Sequence, residues 1–138
     1  MRIMALDLGT KTIGVAVSDA TCLIARGVET IRRAGTVKDF ARLTELIAAE
    51  EVDTIVLGYP KNMNGTIGER AKNSEAFGAL LQEHFPRQKI VLWDERLSTV
   101  AAEKVLISAD LQRKKRRKII DMMAAVVILQ NYLDHQRR

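Results

Sequence analysis

Two short runs of unbroken apolar residues, Thr-Ile-Val-Leu-Gly at 54–58 and Lys-Ile-Val-Leu-Trp at 89–93, constrain the fold of this chain more than any other feature. A strand with one wet face alternates apolar and polar side chains, and neither run does. Strands of this kind belong in the buried middle of a sheet whose two faces are both covered. With 138 residues, 47% of them hydrophobic, the chain has material for one such core without metal or disulfide staples, so a single domain over 1–138 is expected.

The rest of the chain supplies the covering layers. Residues 2–7 and 13–18 are short aliphatic runs separated by Gly-Thr-Lys-Thr (9–12), which reads as a hairpin turning at Gly9. The run 23–33 offers a third strand. Thr36 with Asp39 looks like a capping box, and Val37, Phe40, Leu43 and Ile47 recur at helical spacing up to about Glu50. Thr66 with Glu69 predicts a second capped helix to about His84; Ser98 or Thr99 can cap another to about Ala109; a last helix is expected from about Ile119. The order βββ-α-β-α-β-α describes an α/β protein with a mixed sheet, an antiparallel hairpin followed by parallel strands, and helices on both faces.

Carboxylates fall at the ends of these apolar runs. Asp7 closes the first strand, Asp94 and Glu95 close the last, and Asp121 stands in the otherwise apolar start of the final helix. Ligands of open α/β sheets bind beyond the carboxyl ends of the strands. Oxygen donors without an accompanying His or Cys cluster suit Mg²⁺ or Mn²⁺, which keep waters or phosphate oxygens as remaining ligands. Two such ions can activate water and stabilise the leaving oxygen at phosphorus without any histidine. His84 and His135 accordingly read as surface residues.

The net charge of +5 favours an anionic partner. Lys11 and Arg96, beside the acidic ends, suit phosphate contacts. Six consecutive cations, Arg113, Lys114, Lys115, Arg116, Arg117 and Lys118, precede Asp121. They cannot share one helix face, and their repulsion predicts a mobile segment that gives salt-sensitive affinity for nucleic acid. The lone Cys22 has no disulfide partner and no metal-ligand spacing, which fits a reducing compartment. No apolar stretch approaches the roughly 20 residues that cross a bilayer, and no leader-like segment opens the chain, so a soluble cytoplasmic protein with no membrane partner is expected.

Four segments together, 5–19, 56–65, Asp-Glu-Arg-Leu-Ser-Thr at 94–99 and Ile-Asp-Met-Met-Ala-Ala-Val-Val-Ile-Leu-Gln at 120–130, resemble the YqgF family, also called RuvX. The match runs in order along nearly the whole chain. The resemblance implies an RNase H-like fold related to the RuvC resolvases and a divalent-metal nuclease site. By motif, Asp7, Glu95 with Asp94 beside it, and Asp121 would be its acids. Family members are named both for Holliday-junction resolution and for maturing the 5′ end of the small-subunit (16S) ribosomal RNA precursor. The loop with Lys61, Asn62, Asn64 and Gly65, together with Arg70, implies a substrate-facing role. RuvC-like enzymes carry a second acid near the last one, where this chain has Met-Met-Ala-Ala, which implies fewer ligands.

The expected activity is metal-dependent hydrolysis of phosphodiester bonds in structured nucleic acid, with precursor rRNA ahead of branched DNA and a ribosomal-subunit precursor as partner. An assembly factor that binds rRNA without cutting it is a different class. A third is a phosphotransferase, since Asp-Leu-Gly-Thr-Lys-Thr (7–12) is similar to the first phosphate loop of the actin and sugar-kinase superfamily, although those enzymes need a second such domain. Either a monomer or a homodimer fits.

Overall fold

The computed structural model describes residues 1–62, 64–94 and 113–136, the stretch 113–121 by its backbone alone. The helix expected from Ser98 or Thr99 to Ala109 lies outside those residues. β1 (Arg2–Leu8), β2 (Thr12–Ser18) and β3 (Ala25–Arg32) form an antiparallel meander. β4 (Val52–Tyr59) pairs in parallel with β1, and β5 (Lys89–Asp94) in parallel with β4. The sheet order is β3-β2-β1-β4-β5. Helix α1 (Thr36–Glu50) links β3 to β4, α2 (Glu69–His84) links β4 to β5, and α3 (Arg113–Gln136) follows. The order βββ-α-β-α-β-α, read from periodicity, is the order observed.

Strand alternation sorts side chains into two cores of different texture. Met4 and Leu6 of β1, Ile13, Val15 and Val17 of β2, and Ile55 and Leu57 of β4 meet Phe40, Leu43 and Ile47 of α1 and Phe77 and Leu81 of α2. On the other face Ala5, Ala16 and Val56 meet Ala125, Ile128, Leu129, Tyr132 and Leu133 of α3. That second face is built from small residues, so α3 lies close to the sheet. At Gly27 the closeness is extreme: a Cβ there would stand 2.7 Å from Cγ of Met122. No helix among the described residues is long and apolar enough to cross a membrane.

Four local expectations are corrected. β5 pairs on one side only and is an edge strand; Lys89 and Leu92 are exposed, because no further strand covers it among the described residues. The cap of α1 is Gly35, not Thr36, and Asp39 turns back to accept from the backbone N–H of Ala34 at 2.9 Å. The cap of α2 is Gly68, and Thr66 is instead tied into the preceding loop. The final helix begins at Arg113 rather than near Ile119, so the cationic run falls within the helix. Arg and Lys are good helix formers, and the apolar turns that follow anchor the helix they extend.

One ion-pair fork fastens α1 to the rim of the sheet. The Arg42 guanidinium donates through Nε and Nη2 to both carboxylate oxygens of Glu29 on β3, at 2.8 and 2.5 Å, and through Nη1 to Glu45 at 2.7 Å. The hydrogen bonds from Arg42 hold the Glu29 carboxyl below its ordinary value. A depressed carboxyl contributes stability above its unfolded pKa and loses it as pH falls through the folded one. The pair is partly exposed, so Arg42→Met is expected to lower stability only slightly near neutral pH. Urea unfolding at about pH 7 and about pH 3.5 checks this, the cost shrinking at the acid value.

Candidate active site

The carboxyl ends of β1, β4 and β5 lie side by side, and the strand register fixes what stands there. Asp7 pairs with Gly14 of β2, and on the other side Leu6 pairs with Leu57, so the next row brings Asp7 beside Gly58. Gly58 in turn pairs with Trp93 of β5. The row Gly14, Asp7, Gly58, Trp93 belongs to the face covered by α3, since Ala5, Ala16, Val56 and Trp93 all pack there. Asp7 is half-buried and flanked on both neighbouring strands by residues without a side chain. A glycine inside a strand weakens it and often marks a place where a ligand or another backbone approaches closely.

The backbone of α3 leads toward this row. Gln130 accepts from the N–H of Ala25 at 2.9 Å and donates to the carbonyl of Leu23 at 3.0 Å. Ala25 pairs with Ser18, whose hydroxyl accepts from the N–H of Ile3 at 2.9 Å, so Gln130 marks the Ile3 row. Met122 and Ala125 mark the Ala5–Ala16–Gly27 row, two residues nearer Asp7. The helix thus runs antiparallel to β1. Residue 121, one turn before Ala125, continues that run toward the Asp7 row, with a rise of about 1.5 Å per residue.

Asp94 occupies a different position. It pairs with Tyr59, and alternation assigns both to the α2 face, opposite Asp7. Tyr59 donates its hydroxyl to Glu75 of α2 at 3.0 Å. Burial pushes the Tyr59 phenol upward, and the carboxylates of Glu75 and Asp94 add to it. Glu95 and Arg96 lie outside the described residues. Among the described residues no group of three or more His, Cys, Asp or Glu is gathered tightly enough to hold a metal. The site has Asp7 on the sheet, with the backbone of the Asp121 turn approaching it.

The other expected contacts fall around the same end. Lys11 is exposed in the β1–β2 turn, which Gly9 closes by donating its N–H to the carbonyl of Thr12 at 2.8 Å. Lys61 lies over the Tyr59 ring, its ammonium 5.4 Å from the centroid. Asn62 and Asn64 are spent within their own loop: Asn62 donates to the Thr66 hydroxyl at 2.9 Å, and Asn64 accepts from the Thr66 N–H at 3.1 Å and from its hydroxyl at 2.6 Å. Gly65 has φ +87°, a conformation that side chains resist. These two asparagines therefore shape the loop beside the site. Arg70 lines a cleft with Arg33 and Asn73. Arg113, Lys114, Lys115, Arg116, Arg117 and Lys118 form the first turns of α3, on the approach to Asp121. His84 rests on Phe40 and Phe85, and His135 on Trp93. Cys22 sits beside Met1 and Ser18, at the amino end of β1 and away from Asp7.

A family model described as RuvX, Holliday junction resolvase, matches residues 1–135. A protein of Geobacillus kaustophilus (strain HTA426) named "Putative pre-16S rRNA nuclease" is 60% identical over 139 residues, covering 99% of this chain and 100% of that relative. One of the same name from Bacillus pumilus (strain SAFR-032) is 56% identical over 136 residues, covering 97% and 98%. Among solved structures, Thermus thermophilus RuvC in complex with a Holliday junction substrate superposes with a TM-score of 0.65 at 15% identity, covering 99% of this chain and 95% of that one. The Fowlpox virus resolvase with its junction DNA gives 0.61 at 15% identity, covering both chains fully. These two likenesses show the fold: the sheet and helices are those of RuvC-like nucleases.

Proposed function

The chain belongs to the RuvX family, and we propose that it is a divalent-metal-dependent endonuclease that hydrolyses phosphodiester bonds in the precursor of 16S rRNA, maturing its 5′ end. The observation that carries the reading is the Asp7 row: a carboxylate between two glycines at the carboxyl edge of the sheet, with α3 running toward it. Hard oxygen donors suit Mg²⁺ or Mn²⁺. When bound, such an ion lowers the pKa of a coordinated water and neutralises charge developing at phosphorus.

Asp7, Glu95 and Asp121 are the acids we assign to this work. Glu95 is preferred to Asp94 because Asp94 shares the α2 face with Tyr59, opposite Asp7. Asp7 stands on a central strand paired on both sides. The cations of α3's first turns, with Lys11, Lys61 and Arg96, would hold the phosphate backbone against the carboxylate edge without reading sequence. The reading includes one domain over 1–138, a ribosomal-subunit precursor as partner and a cytoplasmic location, where such a precursor is met.

Labelled precursor 16S rRNA and a four-way DNA junction, incubated side by side with Mg²⁺, Mn²⁺ or EDTA, test it. Metal-dependent cutting of the rRNA at its mature 5′ end is expected. Cutting of the junction alone would move the substrate to branched DNA, and binding without products in either metal would leave an rRNA-binding assembly factor instead.

A further inference from the structure

Beyond the carboxylate row, on the opposite side of the same strand end, lies a cleft of about 60 Å³ lined by Leu8, Gly9, Thr10, Arg33, Arg70 and Asn73. That space is several times what one water requires. Leu8 packs against the core under α1 and α2, so the cleft opens on the α2 side of β1, whereas Asp7 belongs to the α3 side. Arg70 and Asn73 are one helical turn apart on α2 and present the same face. Arg33 is already oriented: its Nη1 donates to the carbonyl of Gly9 at 2.7 Å, and its own N–H donates to the carbonyl of Lys11 at 2.9 Å. The lining thus brings two guanidinium groups and an amide together and contains no carboxylate.

The geometry points to a phosphate subsite: we propose that this cleft takes one phosphodiester of the bound strand, within one or two nucleotides of the scissile one. Two guanidinium forks and an amide donor match phosphate oxygens, and Arg supplies the planar, bidentate geometry that such groups favour. The lining begins at Leu8, the residue after Asp7, about 3.3 Å further along the strand, which is short enough for one nucleic-acid strand to touch both. The strand would cross the carboxyl edge of the sheet, its scissile phosphate on the α3 side and its neighbour gripped on the α2 side. The register of cutting then follows from the cleft, which reads no base. This deepens the nuclease reading and rests on it.

Phosphate-ethylation interference tests the proposal. An end-labelled precursor 16S rRNA fragment, ethylated at about one phosphate per molecule, is sorted into bound and free pools in EDTA by wild type, Arg70→Gln and Arg33→Gln; cutting in Mn²⁺ is followed separately. Arg70 makes no hydrogen bond or ion pair among the described residues, so its variant keeps the fold even if loss of the Arg33–Gly9 bond loosens the turn. Wild type is expected to show interference at a phosphate next to the cut, and both variants to lose that signal. Affinity should fall about three- to tenfold, with the slope of log K against log salt shallower by about 0.7–0.9. Unchanged interference in both variants, while wild type binds and cuts, overturns the cleft and leaves the nuclease standing. Interference confined to a 5′-terminal phosphate overturns it as well, assigning the cleft to a chain end. If wild type neither binds nor cuts, the nuclease reading fails and the cleft with it.

Discussion

Asp7→Asn is expected to reduce cleavage by at least about 10³-fold, equivalent to roughly 4 kcal/mol of transition-state stabilisation, while nucleic-acid affinity changes no more than a few-fold. The substitution keeps the size of the side chain and its place in the row Gly14–Asp7–Gly58, removes the charge and turns one acceptor oxygen into an NH2 donor. Hard cations need that charge, whereas the backbone phosphates are held by Lys and Arg elsewhere on the edge. A second readout is independent of cutting. Mn²⁺ should raise the unfolding midpoint of wild type, because a ligand that binds only the folded state stabilises it by mass action, and should leave Asp7→Asn unmoved. Wild-type cleavage by the variant would remove Asp7 from the site; a preserved metal shift would remove it from the metal.

Ala125→Leu should separate position from stability. Ala125 is fully buried in the layer between α3 and the sheet, where Ala5, Ala16 and Val56 leave no room for three more carbons. Overpacking is expected to cost about 1–3 kcal/mol and to lift α3 from the sheet. The backbone turn that carries residue 121 is the next one along the helix, so cleavage per folded molecule should fall well over tenfold. Leu129→Ala gives the contrast: it empties volume deeper along the same helix, costs about 2–5 kcal/mol, and leaves the α3 backbone near its place. Its folded fraction should cut nearly as wild type does. Rates normalised to folded protein by circular dichroism decide the matter, and equal activity in the two variants would contradict the dependence of the site on α3.

Much of this architecture was legible in the residues because hydrophobic period and turn chemistry are local. The hairpin at Gly9, the buried run of β4 and the helical spacing of Phe40, Leu43 and Ile47 each follow from a few neighbours. What misled were features settled by the tertiary fold. Lys-Ile-Val-Leu-Trp reads as a buried central strand, yet β5 is an edge whose Val91 and Trp93 are covered from one face by α3. Thr36 and Thr66 have the chemistry of caps, but Gly35 and Gly68 hold those positions while the Asp39 and Thr66 side chains are taken by other partners. The cationic run looks self-repelling in isolation and is drawn into helix by the apolar turns after it.

The candidate site divides the same way. Asp7 announces itself at the end of a strand, but the glycines that flank it, Gly14 and Gly58, come from two other strands and meet it only through register. Asp94 and Glu95 are adjacent in sequence and cannot be ranked there; only the pairing with Tyr59 shows that Asp94 lies on the α2 face, away from Asp7. Arg33 has no motif around it. It enters the account only because β3 ends where the β1–β2 turn does, which brings its guanidinium onto Gly9.

The most direct measurement is cleavage of 5′-labelled precursor 16S rRNA in Mn²⁺ by wild type, Asp94→Asn and Glu95→Gln. A site on the α3 face predicts metal-dependent cutting by wild type, cutting within a few-fold of that by Asp94→Asn, and none by Glu95→Gln. The reverse order, with Asp94→Asn silent and Glu95→Gln active, would contradict the assignment of the acids to the Asp7 face; no cutting by wild type would contradict the nuclease itself.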